Sequence, residues 1–145
     1  MSITACLPLG RFLMQTIDWE PLRTAAAEAA RAAHCPYSGF HVGAAVLAAG
    51  RIYAGCNVEN ASYGLTICAE RGAICAAVAA GHKRIDAVYV LCSDAAEESS
   101  AAQRMPCGAC RQVLAEFGAP TLPVYVAGVG ELTLDELLPN AFRLD

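Results

Sequence analysis

The sequence predicts one α/β layered domain, on three observations. Apolar runs of strand length alternate with segments of helical periodicity. Three of the helical segments are stopped by Gly81, Gly118 or Pro139. The chain has 145 residues, which suits a single domain with its own core, and it carries no internal repeat or linker. Helices separated by apolar strands require layers with at least partly parallel pairing.

The elements follow in order. Asp18 caps a first helix reaching Ala33, with Trp19, Leu22, Ala26, Ala29 and Ala33 on one face. Pro36-Tyr37-Ser38-Gly39 breaks the chain. Phe40 to Ala48 reads as a buried strand, and Gly50 turns it into a second, Arg51 to Cys56. Residues 57–66 are small and polar and read as a loop. A helix from Cys68 to Ala80 ends at Gly81. Ala87 to Cys92 is a continuous apolar strand, and residues 94–104 an exposed connection. Gly108 to Phe117 is a helix, Leu122 to Ala127 a strand, and Leu134 to Leu138 a last short helix. The order is α-β-β-α-β-α-β-α. Residues 18–145 make the single domain and residues 1–17 an N-terminal extension. Met14 offers a second candidate start.

The net charge is -4, and the ten Lys and Arg are scattered, with no basic run longer than Lys83-Arg84. A grip on a nucleic-acid polymer usually needs a basic patch, so a small-molecule ligand is expected instead. No apolar run is long enough to span a bilayer without Gly, Pro or charge, and Arg11 follows the first apolar patch where a secretory signal would place charge ahead of it. No membrane association and a reducing cytoplasm are therefore expected. There, eight cysteines point to metal more than to disulfides. The alanine-rich helices have thin core faces, which suggests subunit partners.

Two segments carry chemistry: Cys68-Ala69-Glu70 and Pro106-Cys107-Gly108-Ala109-Cys110. Three cysteines fill three corners of a zinc tetrahedron and leave the fourth for water. Cys107 and Cys110 fall on one side of a helical turn, and both clusters sit at helix N-termini, where thiolate is favoured. A three-thiolate site is a poor Lewis acid without added positive charge. Arg71 and Arg111 could each donate to a thiolate; Arg71 is favoured, and the plain alternative is that both are surface arginines. Glu70 is placed to move protons at a metal-held water; its plain alternative is to complement the helix N-terminus. A C-x-E segment followed 39 positions later by P-C-x-x-C matches the zinc deaminases.

The chain resembles a narrower group, the small homotetrameric cytidine deaminases, over about Asp18 to Phe142. The resemblance rests on residues 37–45 (YSGFHVGAA), 55–64 (GCNVENASYG), 68–71 (CAER), 106–114 (PCGACRQVL) and 137–142 (LLPNAF). It implies a three-layer α/β/α sandwich with a mixed, about five-stranded sheet, one Zn2+ per subunit held by Cys68, Cys107 and Cys110, and a homotetramer with shared active sites. It implies hydrolysis of free cytidine and 2′-deoxycytidine to uridine, 2′-deoxyuridine and ammonia in pyrimidine salvage, by zinc-bound hydroxide with Glu70 as proton shuttle. Phe40 would stack on the pyrimidine. Asn57 and Glu59, within a binding segment that includes Val58, Asn60 and Ser62, would hold the ribose hydroxyls. The Ala69 N–H and the Met105 carbonyl would read the base edge. Ala61, Tyr63 and Phe142 would reach neighbouring subunits' sites. Met105 departs from the family, which often has a small hydroxyl residue there, and His34 stands at a variable position.

Read as residues alone, an Asn-x-Glu pair supplies donors and acceptors suited to sugar hydroxyls, or is ordinary loop polarity; Phe40 is a base platform or a core aromatic. A deaminase of blasticidin S, a polynucleotide editor and a closed structural zinc module are the rival functions. Cys75 is expected in the core, and Cys35, Cys56 and Cys92 as small buried apolar residues. Cys6 lies in the extension. His34, His41 and His82 are not expected to bind metal.

Overall fold

A computed structural model describes residues 16–96 and 99–144. Cys6 and Met14 lie outside the described residues, as does most of the expected extension. Of that extension only Thr16 and Ile17 are seen, and Ile17 packs against the core.

Helix α1 spans Trp19–Arg31, capped by the Asp18 carboxylate on the Glu20 N–H. Strands β1 (Val42–Ala48), β2 (Arg51–Cys56) and β3 (Ala87–Cys92) follow, with α2 (Ala69–Ala79) between the last two. Then come α3 (Gly108–Phe117), β4 (Pro123–Val126), β5 (Gly130–Thr133) and α4 (Leu134–Leu137). The five strands lie in the order β2-β1-β3-β4-β5. Only β3 and β4 pair in parallel, joined by the crossover through α3. The sheet is thus mixed and five-stranded, as expected.

Alternation along the central strands makes the two outer layers. Ala45, Ala87 and Tyr89 face Leu22 and Ala26 of α1. Ala44, Val46, Val88, Val90, Val124 and Val126 face the other way, onto α2, α3 and α4 through Ile74, Leu114 and Leu134. Two glycines let helices lie directly on the sheet. A Cβ on Gly43 would sit 1.8 Å from the Ala26 carbonyl oxygen, and one on Gly55 would sit 2.4 Å from the Ala73 nitrogen. Nothing larger fits between strand and helix at either place.

Several expectations need correction. The buried stripe of α1 is Leu22, Ala26 and Ala30; the helix ends at Arg31, so Ala33 leaves the stripe. Strand β1 starts at Val42, two residues late, because the Asn57 amide takes the backbone groups that would extend the ladder. It accepts from the Val42 N–H at 2.8 Å and donates to the Phe40 carbonyl at 2.8 Å. The fifth strand that the resemblance implies is β5, which the apolar pattern of residues 128–133 does not mark. Gly128 (φ +80°) and Gly130 (φ +120°) reverse the chain so that Gly130–Thr133 pairs back onto β4. Cys75 is exposed: the inward face of α2 is Ala69, Ala73, Ile74 and Ala77, and Cys75 projects away from it. Cys56 is half-buried, while Cys35 and Cys92 are buried as expected.

Candidate active site

The site forms where α2 and α3 begin. Cys68 is the N-cap of α2 and Cys107 the N-cap of α3, each with extended backbone and no side-chain cap bond, so both sulfurs are free for other work. Cys110 follows one turn into α3 and is buried. The approach to α2 is fixed by short bridges of Val58 to His34 and to Ile67. Sequence separation of 39 residues becomes a Cys68 to Cys107 sulfur distance of 3.8 Å, and Cys107 to Cys110 is 3.5 Å.

All three sulfurs lie within 4.8 Å of one another, the only such ligand cluster among the described residues. A tetrahedral zinc with Zn–S of about 2.3 Å needs S···S edges of about 3.8 Å, so the trio fits the ion. Three protein ligands leave one corner open. His34, His41 and His82 take no part in the cluster.

Electrostatics favour a cation there. The Cys68 thiol is held down to about 5 by its contact with Cys110, against burial, with further help from the Arg71 guanidinium and Cys107. Cys110 is pushed up, first by that same contact and then by burial. Cys68 and Cys110 thus contend for a single negative charge, a conflict that a divalent cation would relieve.

The two arginines separate cleanly. Arg71 Nη2 donates to the Thr66 carbonyl at 2.9 Å and to Cys68 Sγ at 3.5 Å. Arg111 has no thiolate contact. Its Nε bonds the Pro106 carbonyl at 2.8 Å and its Nη1 the Leu137 carbonyl at 2.7 Å, tying the start of α3 to α4. Of the two arginines, Arg71 is the one whose guanidinium reaches a sulfur of the cluster.

Glu70 lies in the first turn of α2 and is 4% exposed, the one buried charged side chain among the described residues. Burial pushes its carboxyl above the usual carboxylate range, and the neighbouring Cys68 sulfur adds to the shift. A buried carboxyl of raised affinity beside an open metal corner can hold a proton and release it.

A cavity of about 280 Å³ opens over the sulfurs. Cys68, Ala69, Glu70 and Cys107 form its metal end, and Phe40, Asn57, Glu59 and Met105 line the rest. Cys110 and Arg71 are not among the residues that line it. The carbonyls flanking Met105 are engaged, that of Arg104 by Cys92 Sγ at 3.9 Å and that of Pro106 by Arg111. Asn60 and Tyr63 line an adjoining concavity of about 470 Å³ that shares Ser38, Glu59 and Thr66 with the cleft. Val58, Ala61, Ser62 and Phe142 do not line the cleft of their own chain. Tyr63 is 78% exposed, and Phe142 is 71% exposed with its carbonyl bound by Gln112.

The sequence reading gave no role to Ser38, Val42, Thr66, Val90, Cys92, Gln103 and Arg104, which also line the cavity. For Val42, Val90 and Cys92 the available signal was strand alternation, which groups residues on a face without naming the face. A larger concavity of about 880 Å³ lies elsewhere, beside Trp19, Arg84 and Glu131, and holds no ligand cluster, so size alone does not find the site.

These features have relatives. A family model described as the cytidine and deoxycytidylate deaminase zinc-binding region matches residues 17–126. A cytidine deaminase of Mycobacterium tuberculosis is 46% identical over 133 residues, which is 91% of this chain and 95% of that protein. The crystal structure of cytidine deaminase from the same organism gives a TM-score of 0.77 at 45% identity, covering 89% of this chain and 100% of the other. A blasticidin-S deaminase of Bacillus cereus is 33% identical over 105 residues, 68% of this chain and 74% of that protein. On the extent of these matches and on its three-sulfur site, the chain belongs to the cytidine and deoxycytidylate deaminase family.

Proposed function

We propose that this enzyme hydrolyses free cytidine and 2′-deoxycytidine to uridine and 2′-deoxyuridine with release of ammonia. The observation that carries the reading is Glu70: a buried carboxyl lining the same cavity as two of three zinc-ligand sulfurs. A structural zinc would be closed by four protein ligands, and only three donors gather among the described residues.

Cys68, Cys107 and Cys110 would hold the zinc, which when bound would supply Lewis-acid activation of water. Glu70 would accept a proton from the attacking water and deliver it to N3 of the pyrimidine as the C4–O bond forms. The C4–N4 bond then breaks as Glu70 moves the remaining proton of that water, from the new C4 hydroxyl, to the leaving amine, and the C4 carbonyl forms. One water is consumed, and one ammonia and one C4 carbonyl result. Arg71 draws charge from Cys68 and so offsets the excess negative charge of three thiolates. Phe40 packs against the base. The Ala69 N–H and the Met105 carbonyl meet the base edge, as a donor and an acceptor at the positions where a pyrimidine needs both. Asn57 and Glu59 lie on the sugar side, within the 57–63 segment.

Tyr63 and Phe142 stand outside their own cleft and are largely exposed. With Ala61 they serve a neighbouring subunit's site in a homotetramer. The exposed Leu65 and Ile67, beside Tyr63, supply apolar surface for that assembly. The described residues include no helix long and apolar enough to cross a membrane. The setting we propose is pyrimidine salvage in the cytoplasm. Blasticidin S is the second candidate substrate, favoured by the Bacillus cereus relative alone. A polynucleotide substrate is disfavoured by the net charge of -4.

The deciding experiment follows the ultraviolet change on deamination of cytidine, with and without a zinc chelator, for wild type and Glu70→Gln. Turnover that chelation stops and zinc restores is expected, together with a Glu70→Gln protein that keeps its zinc but loses at least about 100-fold in kcat. Blasticidin S turning over faster than cytidine would transfer the assignment to that substrate.

A further inference from the structure

We infer that Ser38 is the positioning residue of the cleft's sugar side, locking Glu59 and Phe40 into one unit. The inference rests on the proposed nucleoside reading, in which Glu59 meets a sugar hydroxyl and Phe40 the base.

The chain turns at residues 36–38 and passes through Gly39 at φ +67°, a left-handed conformation that a side chain would strain. That turn wraps the Glu59 carboxylate. The Tyr37 and Ser38 N–H groups donate to Glu59 Oε2 at 2.9 Å and 3.2 Å. The Ser38 hydroxyl donates to Glu59 Oε1. The same hydroxyl accepts from the Phe40 N–H at 3.0 Å. A serine hydroxyl has one proton to give and lone pairs to receive with. Here it gives the proton to the carboxylate and receives the amide of the aromatic residue.

Two consequences follow. Oε2 is filled by backbone donors, so Oε1 is the oxygen left with capacity for a ligand hydroxyl, and Ser38 sets its direction. The Ser38 contact is also the leading cause holding the Glu59 carboxyl below its ordinary range, which keeps it an acceptor. All three side chains line the same cavity.

The scaffold does not depend on this hydroxyl. The Glu59 N–H bonds the His34 carbonyl at 2.7 Å, and Val58 pairs with Ile67 at 2.9 Å in both directions. The Asn57 amide independently holds the Phe40 carbonyl. Removing the hydroxyl therefore frees the carboxylate and loosens the Phe40 amide while leaving the backbone path in place.

The test uses zinc-loaded wild type, Ser38→Ala and Ser38→Thr with cytidine, 2′-deoxycytidine and 3′-deoxycytidine. Wild type is expected to disfavour at least one deoxy analogue by about 10- to 150-fold in kcat/KM, the range for a hydrogen bond to a charged group. Ser38→Ala should raise KM for cytidine about tenfold, keep kcat within about threefold, and shrink that discrimination about tenfold. Ser38→Thr, which keeps the hydroxyl, should restore both. Full discrimination in Ser38→Ala, or equal behaviour of the Ala and Thr variants, overturns the inference alone. A Ser38→Ala protein that loses zinc or its cooperative melt also overturns it, because Ser38 would then belong to the scaffold. A wild type that treats all three nucleosides alike removes the sugar contact of Glu59 and overturns the inference, whereas a zinc-loaded wild type that turns over none of them overturns the nucleoside reading itself.

Discussion

Replacing Gly55 with alanine should damage the metal site from the far side of a helix. The new Cβ would stand 2.4 Å from the Ala73 nitrogen, 2.6 Å from the Ala69 carbonyl oxygen and 2.7 Å from the Gly72 carbonyl carbon. All three atoms are α2 backbone, so no side chain can swing aside. Ordinary contact begins near 3.4 Å, so α2 must retreat by about 1 Å or β2 must bend. Overpacking of this kind costs about 1–3 kcal/mol. At roughly 3 °C per kcal/mol for a chain of this size, the melt should fall by about 3–10 °C. The helix carries Cys68 as its N-cap, and ligand distances tolerate only about 0.2 Å, so zinc affinity should fall as well. Gly72→Ala is the internal control. Its Cβ would meet nothing nearer than 3.6 Å, at the Cys56 carbonyl oxygen and the Gly55 Cα, so the helix should gain about 0.5–1 kcal/mol. Calorimetric melts with saturating zinc and with chelator, plus competition against a chromogenic chelator, measure both effects. The reasoning is refuted if Gly55→Ala melts with wild type and binds zinc equally, or if Gly72→Ala is damaged as badly.

Two further outcomes follow from the site's charges. Arg71→Gln should keep three sulfurs and the fold but lose about 10- to 150-fold in kcat, because a half-buried hydrogen bond to a thiolate is removed; steady-state rates with zinc analysis in parallel check this, and unchanged kcat would return Arg71 to a structural role. In zinc-stripped protein the raised Glu70 carboxyl gives a signed pH effect: at about pH 3, well below its unfolded value, the acid is protonated in both states and Glu70→Gln should melt with wild type. As pH rises through the raised folded value, ionised Glu70 disfavours burial, so the Gln variant should become progressively more stable than wild type, and a gap independent of pH would contradict the burial argument.

The parts of this structure that the sequence made legible are those with local causes. Strands β2 and β3 and helix α3 have the bounds expected from apolar runs cut by Gly50, Gly108 and Gly118. The three-cysteine cluster was legible because the i, i+3 spacing and the helix starts are local facts, and the Arg71 contact with Cys68 because it spans one helical turn. What was not legible depends on partners distant in sequence. Strand β5 is four residues long and exists through its pairing with β4. The delayed start of β1 comes from the side chain of Asn57, fifteen positions on. Cys75 was expected inside because α2 is apolar on most sides, so its composition does not reveal which stripe meets the sheet. The hydroxyl of Ser38 could not be connected to Glu59 by spacing, since 21 residues and two strands separate them.

The sulfurs of Cys68 and Cys107 come from different helices, 39 residues apart, with the whole of β3 between them. An ion held by both is therefore a cross-link, and its effect extends to the unfolded chain. Closing a loop of that length removes unfolded-state entropy worth about 4 kcal/mol at room temperature, on the scale used for disulfides. That is a large share of the roughly 5–15 kcal/mol by which folded domains outlast their unfolded chains. Such an ion acts as a staple in place of a disulfide, and one that holds even where disulfides do not persist. Metal scarcity would then erase both the activity and the durability of the chain.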